Sequence, residues 1–343
     1  MDLLRVVATF AVILIHINYH YFKARSMNPS ADVYYVAESL INIVTRFSVP
    51  AFVMISGAFL LRNPQNRDFK AFYQKTSYRI GLPVLLAVVL FLIIEEAAWA
   101  VPSNTYLVPL KEILSGVFYN IWFMYMLAGL YLLTPLVIRL KEAVSEKVFR
   151  NIGIVLLIWA CLSQKLSTEK AFYTIGLVFA FLAYFIAGSL IYEAAQADSS
   201  PKRGRRAVDF LLIVLMIAVT FAVRFSGYSY YLFEASTNFF SPSIMVISLC
   251  VFDLFAGMHI KKDCSRLAGD TFFVYLFHTL VYKIVFQLID GRIHLNELTL
   301  VFLVTVVVFI LSLGCAKLYQ WLWQLLDVRL GWKKKWYGMA IWK

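Results

Sequence analysis

Arg5, His16, Arg46, Arg224, His278 and Lys283 fall within the long apolar runs of this chain, outside its loops, and Asp253 is the only acid well inside one. An ionisable group in such surroundings costs a few kcal/mol or more in a bilayer, so it usually faces a protein interior or a wet cavity. Arg5 and His16 form the sharpest pair. Eleven helical steps of about 100° bring them within about 20° of one face, about 16 Å apart along the axis. A cation at the mouth of such a stripe and a titratable imidazole deeper inside suit an anionic ligand entering from the Arg5 end. The plainer alternative is a snorkelling Arg5 and a His16 hydrogen-bonded to a neighbouring helix.

The other candidates carry the same double reading. Arg46 stands four residues before Pro50. A proline at that depth frees a carbonyl and kinks the helix, which a nearby cavity accommodates; pairing with Glu38, two turns away, is the structural alternative. Ser56 with Gly57 fits close helix packing better than nucleophilic attack. His278 follows Tyr275 at i+3 and shares a face with its hydroxyl, or else makes a helix–helix hydrogen bond. Asp253 and Lys283 are expected to form a buried pair between the eighth and ninth spans. His20, His259 and His294 fall at interfaces or in loops. Tyr125 and Tyr131, six residues apart, sit on opposite sides of their helix and cannot both line one cavity.

These residues need elements to hold them, and composition says which kind. Of 343 residues, 61% are hydrophobic and 15% charged, against about 45–50% and 25% in ordinary soluble chains. Aromatics reach 17% and mean hydropathy is +0.74. A single water-soluble core in this length cannot bury so much apolar surface, which excludes disorder and a soluble two-domain enzyme. The expected fold is an all-α integral membrane protein. Ten segments reach or approach the roughly 20 apolar residues of a spanning helix: 3–22, 37–61, 80–100, 117–138, 151–163, 173–193, 210–224, 239–260, 271–290 and 298–320. The fifth is the shortest. Continuous apolar runs argue against barrel strands, and no internal repeat is visible. The N-terminal run lacks the basic flank and cleavage site of a signal peptide. Cys161, Cys250, Cys264 and Cys315 are scattered, which fits neither a disulfide framework nor a metal site.

The net charge of +12 becomes an orientation once the loops are counted. Even-numbered loops and the tail, with Lys317 counted in it, hold 22 Lys and Arg, odd-numbered loops 6. The basic side is cytoplasmic, so both termini lie inside, and nucleic acid is not an expected partner. The polar run from Ala194 to Arg206 is the clearest linker. The chain divides into a polytopic domain over 1–320 and a tail over 321–343. That tail interleaves five of the eight Trp with basic residues and reads as a helix lying in the cytoplasmic interface.

The blocks around these residues resemble a known family. Asp2-Leu-Leu-Arg5 followed by ten residues and His16 resembles the first helix of the membrane-bound acyltransferase-3 family. Phe47 to Leu61 (with Pro50, Phe52, Ser56 and Gly57), Lys75 to Pro83 with Arg79, and Trp122 to Pro135 with Tyr125 and Tyr131 continue the match. Ser241 to Phe252 and Thr271 to His278 look like its closing blocks. The Trp-to-Pro block is most like the branch of bacterial inner-membrane O-acetyltransferases. Some relatives carry a His two residues before that Trp, where this chain has Asn120; a role for that His does not carry over. This chain also begins almost on the first motif.

The resemblance implies acyl transfer, usually of acetyl from acetyl-CoA, to a hydroxyl of a cell-surface glycan or its lipid-linked precursor in the bacterial cytoplasmic membrane. A sugar hydroxyl is a poor nucleophile and needs a base. His16 takes that role by this reading, with an acyl-histidine intermediate as the variant. Arg5 is a catalytic candidate as the partner of the CoA phosphates, since guanidinium binds them bidentately without titrating. Lys75 and Arg79 share that role or are ordinary cytoplasmic flanks. His278 orients His16 or protonates the leaving thiolate. Arg46 binds sugar oxygens or the thioester oxyanion, and Ser56, Tyr275, Trp122 and Tyr125 join it as substrate-binding candidates. No cofactor is expected to be bound permanently and no metal is expected; acyl-CoA, the acceptor and the lipid bilayer are the partners. A transporter or flippase of an anionic or lipid-linked sugar, or a non-catalytic partner of a polysaccharide synthase, accommodates the spans and charges but does not need the Arg-to-His spacing.

Overall fold

A long apolar run in lipid must satisfy every backbone N–H and C=O within itself, and only a helix or a closed barrel does so. The computed structural model describes residues 1–27, 33–98, 122–163, 170–197, 203–226, 236–258, 263–289, 292–293 and 295–330. Among them the regular elements are all helical. They are α1 (Asp2–Met27), α2 (Val33–Thr45), α3 (Ser48–Leu60), α4 (Phe69–Thr76), α5 (Leu82–Ala98), α6 (Trp122–Ala143), α7 (Glu146–Ser163), α8 (Lys170–Ala197), α9 (Arg203–Phe225), α10 (Pro242–Ala256), α11 (Ser265–Ile289) and α12 (Glu297–Leu330).

Eight helical stretches among the described residues are long and apolar enough to cross a membrane: Asp2–Phe22, Val33–Leu60, Phe69–Ile94, Trp122–Ala143, Gly176–Ala197, Gly204–Phe225, Ser265–Ile289 and Glu297–Leu326. The remaining two expected spans are also helices. α7 opens on Glu146, Lys147 and Arg150, which breaks its apolar window. α10 has 15 residues, about 22 Å of helix against a hydrocarbon core of about 30 Å. The third span begins earlier than expected. Asp68 caps α4 by accepting from the Ala71 N–H at 2.8 Å, and a π-helical turn, Ser77–Gly81, carries the chain from α4 into α5. The last helix runs unbroken to Leu330, with Trp323 buried against Tyr78 at 5.6 Å between ring centroids. Residues 331–343 lie outside the described residues, as do 198–202 of the linker.

Two packing arrangements position the site. α8 lies among α3, α6, α7 and α10, and α1 lies among α2, α3, α11 and α12. The α3–α8 contact is backbone on backbone. A Cβ at Gly57 would collide with the Phe185 carbonyl oxygen, and one at Gly188 would meet the Met54 backbone. Small residues permit such approach where no solvent drives helices together. Pro50 supplies the second device. It has no N–H for the Arg46 carbonyl four residues earlier, and the helix does more than kink: α2 ends at Thr45 and α3 begins at Ser48. Arg46 therefore sits in a break inside a spanning segment.

The expected Asp253–Lys283 pair does not form. Asp253 accepts from Arg205 Nε at 2.6 Å and Nη2 at 2.5 Å. Asp253 is three residues from the end of α10, whereas Lys283 is eighteen residues into α11, about 27 Å along the helix that follows the turn. Depth, not charge, decides the partner.

Candidate functional site

α1 is unbroken from Asp2 to Met27, so the Arg5–His16 stripe exists as the spacing requires. It ends in two separate clusters. At the Arg5 end, Nη1 donates to Asp2 Oδ1 at 3.0 Å, and the guanidinium lies 5.0 Å from the Phe59 ring centroid. The Tyr131 hydroxyl hydrogen-bonds the Ser56 side chain, and the charges of Arg5 and Arg79 both act on it. Arg5 of α1 and Arg79 of the π turn are thus both within electrostatic reach of the Tyr131–Ser56 contact between α6 and α3. Arg79 is exposed, and π turns recur at functional sites because they re-aim side chains. Lys75 stands one turn earlier, half-buried in the last turn of α4. Ser56 also donates to the Phe52 carbonyl at 2.9 Å. Gly57, the next residue and about 100° round the helix, is pressed on α8.

About three turns deeper, His16 meets His278 of α11, ring centroids 5.3 Å apart. The Tyr282 ring stacks toward His16 at 6.2 Å, and Tyr275 lies 5.2 Å from His278. His278 is buried to 1% exposure, while His16 is half-buried. The Nδ1 of His278 hydrogen-bonds the Tyr275 carbonyl. A carbonyl only accepts, so Nδ1 carries a proton, and Nε2 lies 3.4 Å from the Thr279 hydroxyl. Arg46 projects from the α2–α3 break with its charge acting on His16. Its Nε donates to Asn42 Oδ1 at 2.9 Å, and its guanidinium lies 5.7 Å from the Phe239 ring. Glu38 pairs instead with Arg224.

Phe239 links Trp122 to this cluster: the two rings stack at 6.0 Å. Tyr275 packs its ring between Phe52 at 6.2 Å and Phe123 at 4.8 Å. Tyr125, one turn from Trp122, is half-buried beside the main core. The expected residues therefore divide into Arg5, Ser56 and Arg79 at one end, and His16, His278, Arg46, Tyr275 and Trp122 at the other.

Tyr131 and Tyr282 are the members that spacing alone does not single out. The partner of Tyr131, Ser56, is on another helix. Tyr282 follows His278 at i+4, a signal that the sequence carries. Asn120, His259 and His294 lie outside the described residues.

The acyltransferase domain model of the acyltransferase-3 family matches residues 1–317. The chain belongs to the acyltransferase-3 family. No curated protein and no solved structure matches it. Both clusters fall within the matched residues, so this membrane acyltransferase holds its paired histidines and its Arg5–Arg79 cluster inside the family domain.

Proposed function

We propose that the protein is a bacterial inner-membrane O-acetyltransferase that moves acetyl from cytoplasmic acetyl-CoA to a hydroxyl of a cell-surface glycan or its lipid-linked precursor. The observation that carries this reading is the contact of His16 with His278 at one end of a stripe whose other end holds Arg5 and Arg79. Guanidinium groups suit the phosphates of CoA, and the 22-to-6 distribution of Lys and Arg supports that end being cytoplasmic, with both termini inside and ten spans.

In the proposed reaction His16 takes the acceptor hydroxyl proton as the oxygen attacks the thioester carbonyl. The ester C–O bond forms, the C–S bond breaks, and CoA leaves as thiolate and receives the proton held by His16. The Arg46 guanidinium stabilises the charge that develops on the carbonyl oxygen. With a proton fixed on Nδ1, His278 orients His16 rather than supplying a proton. Trp122 and Tyr275 provide aromatic surface beside the acceptor, and Ser56, Lys75 and Tyr125 complete the flanks.

The test is purified protein in lipid with labelled acetyl-CoA and cell-envelope glycans. Label should appear covalently on glycan and disappear in His16→Ala protein that still inserts. Transfer retained by that variant removes the base assignment; movement of glycan across the bilayer without label removes the enzyme reading.

A further inference from the structure

Glu38 and Arg224 form an ion pair between α2 and α9 that the acyl-transfer chemistry does not itself require. The nitrogen–oxygen distance is 3.7 Å, and the side chains are 5% and 2% exposed. Arg224 is held further by Ser39, whose hydroxyl accepts from Nε at 3.3 Å, and by the Tyr35 ring at 4.3 Å. A buried ion pair is an expensive way to join two helices, since apolar residues of similar volume often do as well or better. Arg224 stands in the last turn of α9, yet both side chains are buried in protein, so the pair calls for a reason beyond holding two helices together.

The pair does not end at Glu38. Its carboxylate accepts a hydrogen bond from the Asn42 side chain, and Asn42 Oδ1 accepts from Arg46 Nε at 2.9 Å. Residues 38, 42 and 46 are four apart, one stripe leading from Arg224 to the helix break. A carboxamide is directional: with its NH2 turned to Glu38, only its oxygen faces Arg46. Arg46 lies just beyond the last residue of α2, with the Asn42 oxygen and the Phe239 ring both within its reach.

We propose that Glu38 and Asn42 are positioning residues: Glu38, anchored by Arg224, fixes the Asn42 amide so that its oxygen aims the Arg46 guanidinium at the His16 site. The inference rests on the role given to Arg46 in acyl transfer.

Full-length variants are compared in the labelled acetyl-CoA assay with cell-envelope glycan. Asn42→Leu and Glu38→Leu should lower kcat about 10- to 100-fold while the acetyl-CoA KM stays within about threefold, because misaiming a transition-state group leaves donor binding intact. Asn42→Asp alone should be slow, with two carboxylates facing each other. Combining it with Glu38→Gln should restore most of kcat. The carboxamide now at position 38 then donates to the carboxylate now at position 42, which still accepts from Arg46. A role confined to clamping α2 on α9 gives the opposite result, because the double variant deprives Arg224 of its carboxylate. Should the Leu variants fail to accumulate folded, the Asn42→Asp protein and the double variant decide alone: no recovery, or a wild-type rate for Asn42→Asp, overturns the proposal. Wild-type transfer by Arg46→Ala overturns the role of Arg46 itself. Slow Arg46→Ala with unimpaired Asn42→Leu and Glu38→Leu overturns only the aiming.

Discussion

Gly57→Ala adds one methyl group where α3 and α8 touch, and the structure sets the size of the effect. The new Cβ would lie 2.7 Å from the Phe185 carbonyl carbon and 3.0 Å from its Cα, closer still to the carbonyl oxygen, whereas ordinary contact begins at 3.4 Å. These are backbone atoms, so no rotamer change relieves them. The carbonyl oxygen is nearest of all, so the helices must part by more than about 1 Å, at the upper end of overpacking costs, about 3 kcal/mol. For a chain of this size that is roughly 5 °C in Tm, read by thermal unfolding in detergent. Gly176→Ala is the matched control: nothing lies within 4 Å of its Cβ, and relief of glycine's entropy in a helix favours it by about 0.5–1 kcal/mol. Because Ser56 precedes Gly57, parting the helices also pulls Ser56 from Tyr131, and transfer should fall with stability. A Gly57→Ala protein that unfolds within a degree of wild type refutes the backbone contact.

Other outcomes follow from single contacts. Arg5→Ala should raise the acetyl-CoA KM about 10- to 100-fold, the loss of a charge-assisted contact of about 1.5–3 kcal/mol, with a smaller effect on the acceptor KM; steady-state kinetics with each substrate varied checks it. Tyr131→Phe removes the hydroxyl that joins Ser56 between Arg5 and Arg79, and should raise the same donor KM severalfold while leaving the unfolding temperature nearly unchanged. Asp253→Asn weakens the bidentate contact with a part-exposed Arg205 and should cost about 1 kcal/mol of stability with kcat unaltered, measured by thermal unfolding and the transfer assay together.

What sequence could show was whatever one helix contains. The Arg5–His16 stripe and the shared face of Tyr275 and His278 depend only on helical period, and both α1 and α11 are unbroken. Contacts between helices were not legible in the same way. Nothing in spacing states that His16 and His278, on α1 and α11, share one ring contact, or that Tyr131 meets Ser56. The expected Asp253–Lys283 pair failed because charge complementarity was matched without depth; counting residues from the adjoining turn would have separated them. Pro50 points to a kink at Arg46, and the structure interrupts the helix there for two residues, between Thr45 and Ser48, because Pro50 offers no N–H to the Arg46 carbonyl. The start of the third span escaped because Phe69–Gly81 is polar on one side, and hydropathy alone does not register a helix that enters the apolar run through a π turn.

On the proposed reading, the separation along α1 selects the donor as firmly as the charges do. Arg5 and His16 lie about 16 Å apart along the axis, so the anionic part of the donor and its reactive carbonyl must be joined by a long, narrow arm. A thioester at the far end of a pantetheine chain meets that requirement, with its phosphates held among Arg5 and Arg79 and its acyl group beside His16. A small acyl phosphate does not, because its charge and its carbonyl are adjacent and only one of the two clusters can be occupied at a time. The same separation explains why the two ends use different residue types. Permanent cations serve at the end where a charged ligand must be drawn from water, and imidazoles with one aimed guanidinium serve where burial makes each hydrogen bond stronger and each stray charge more costly.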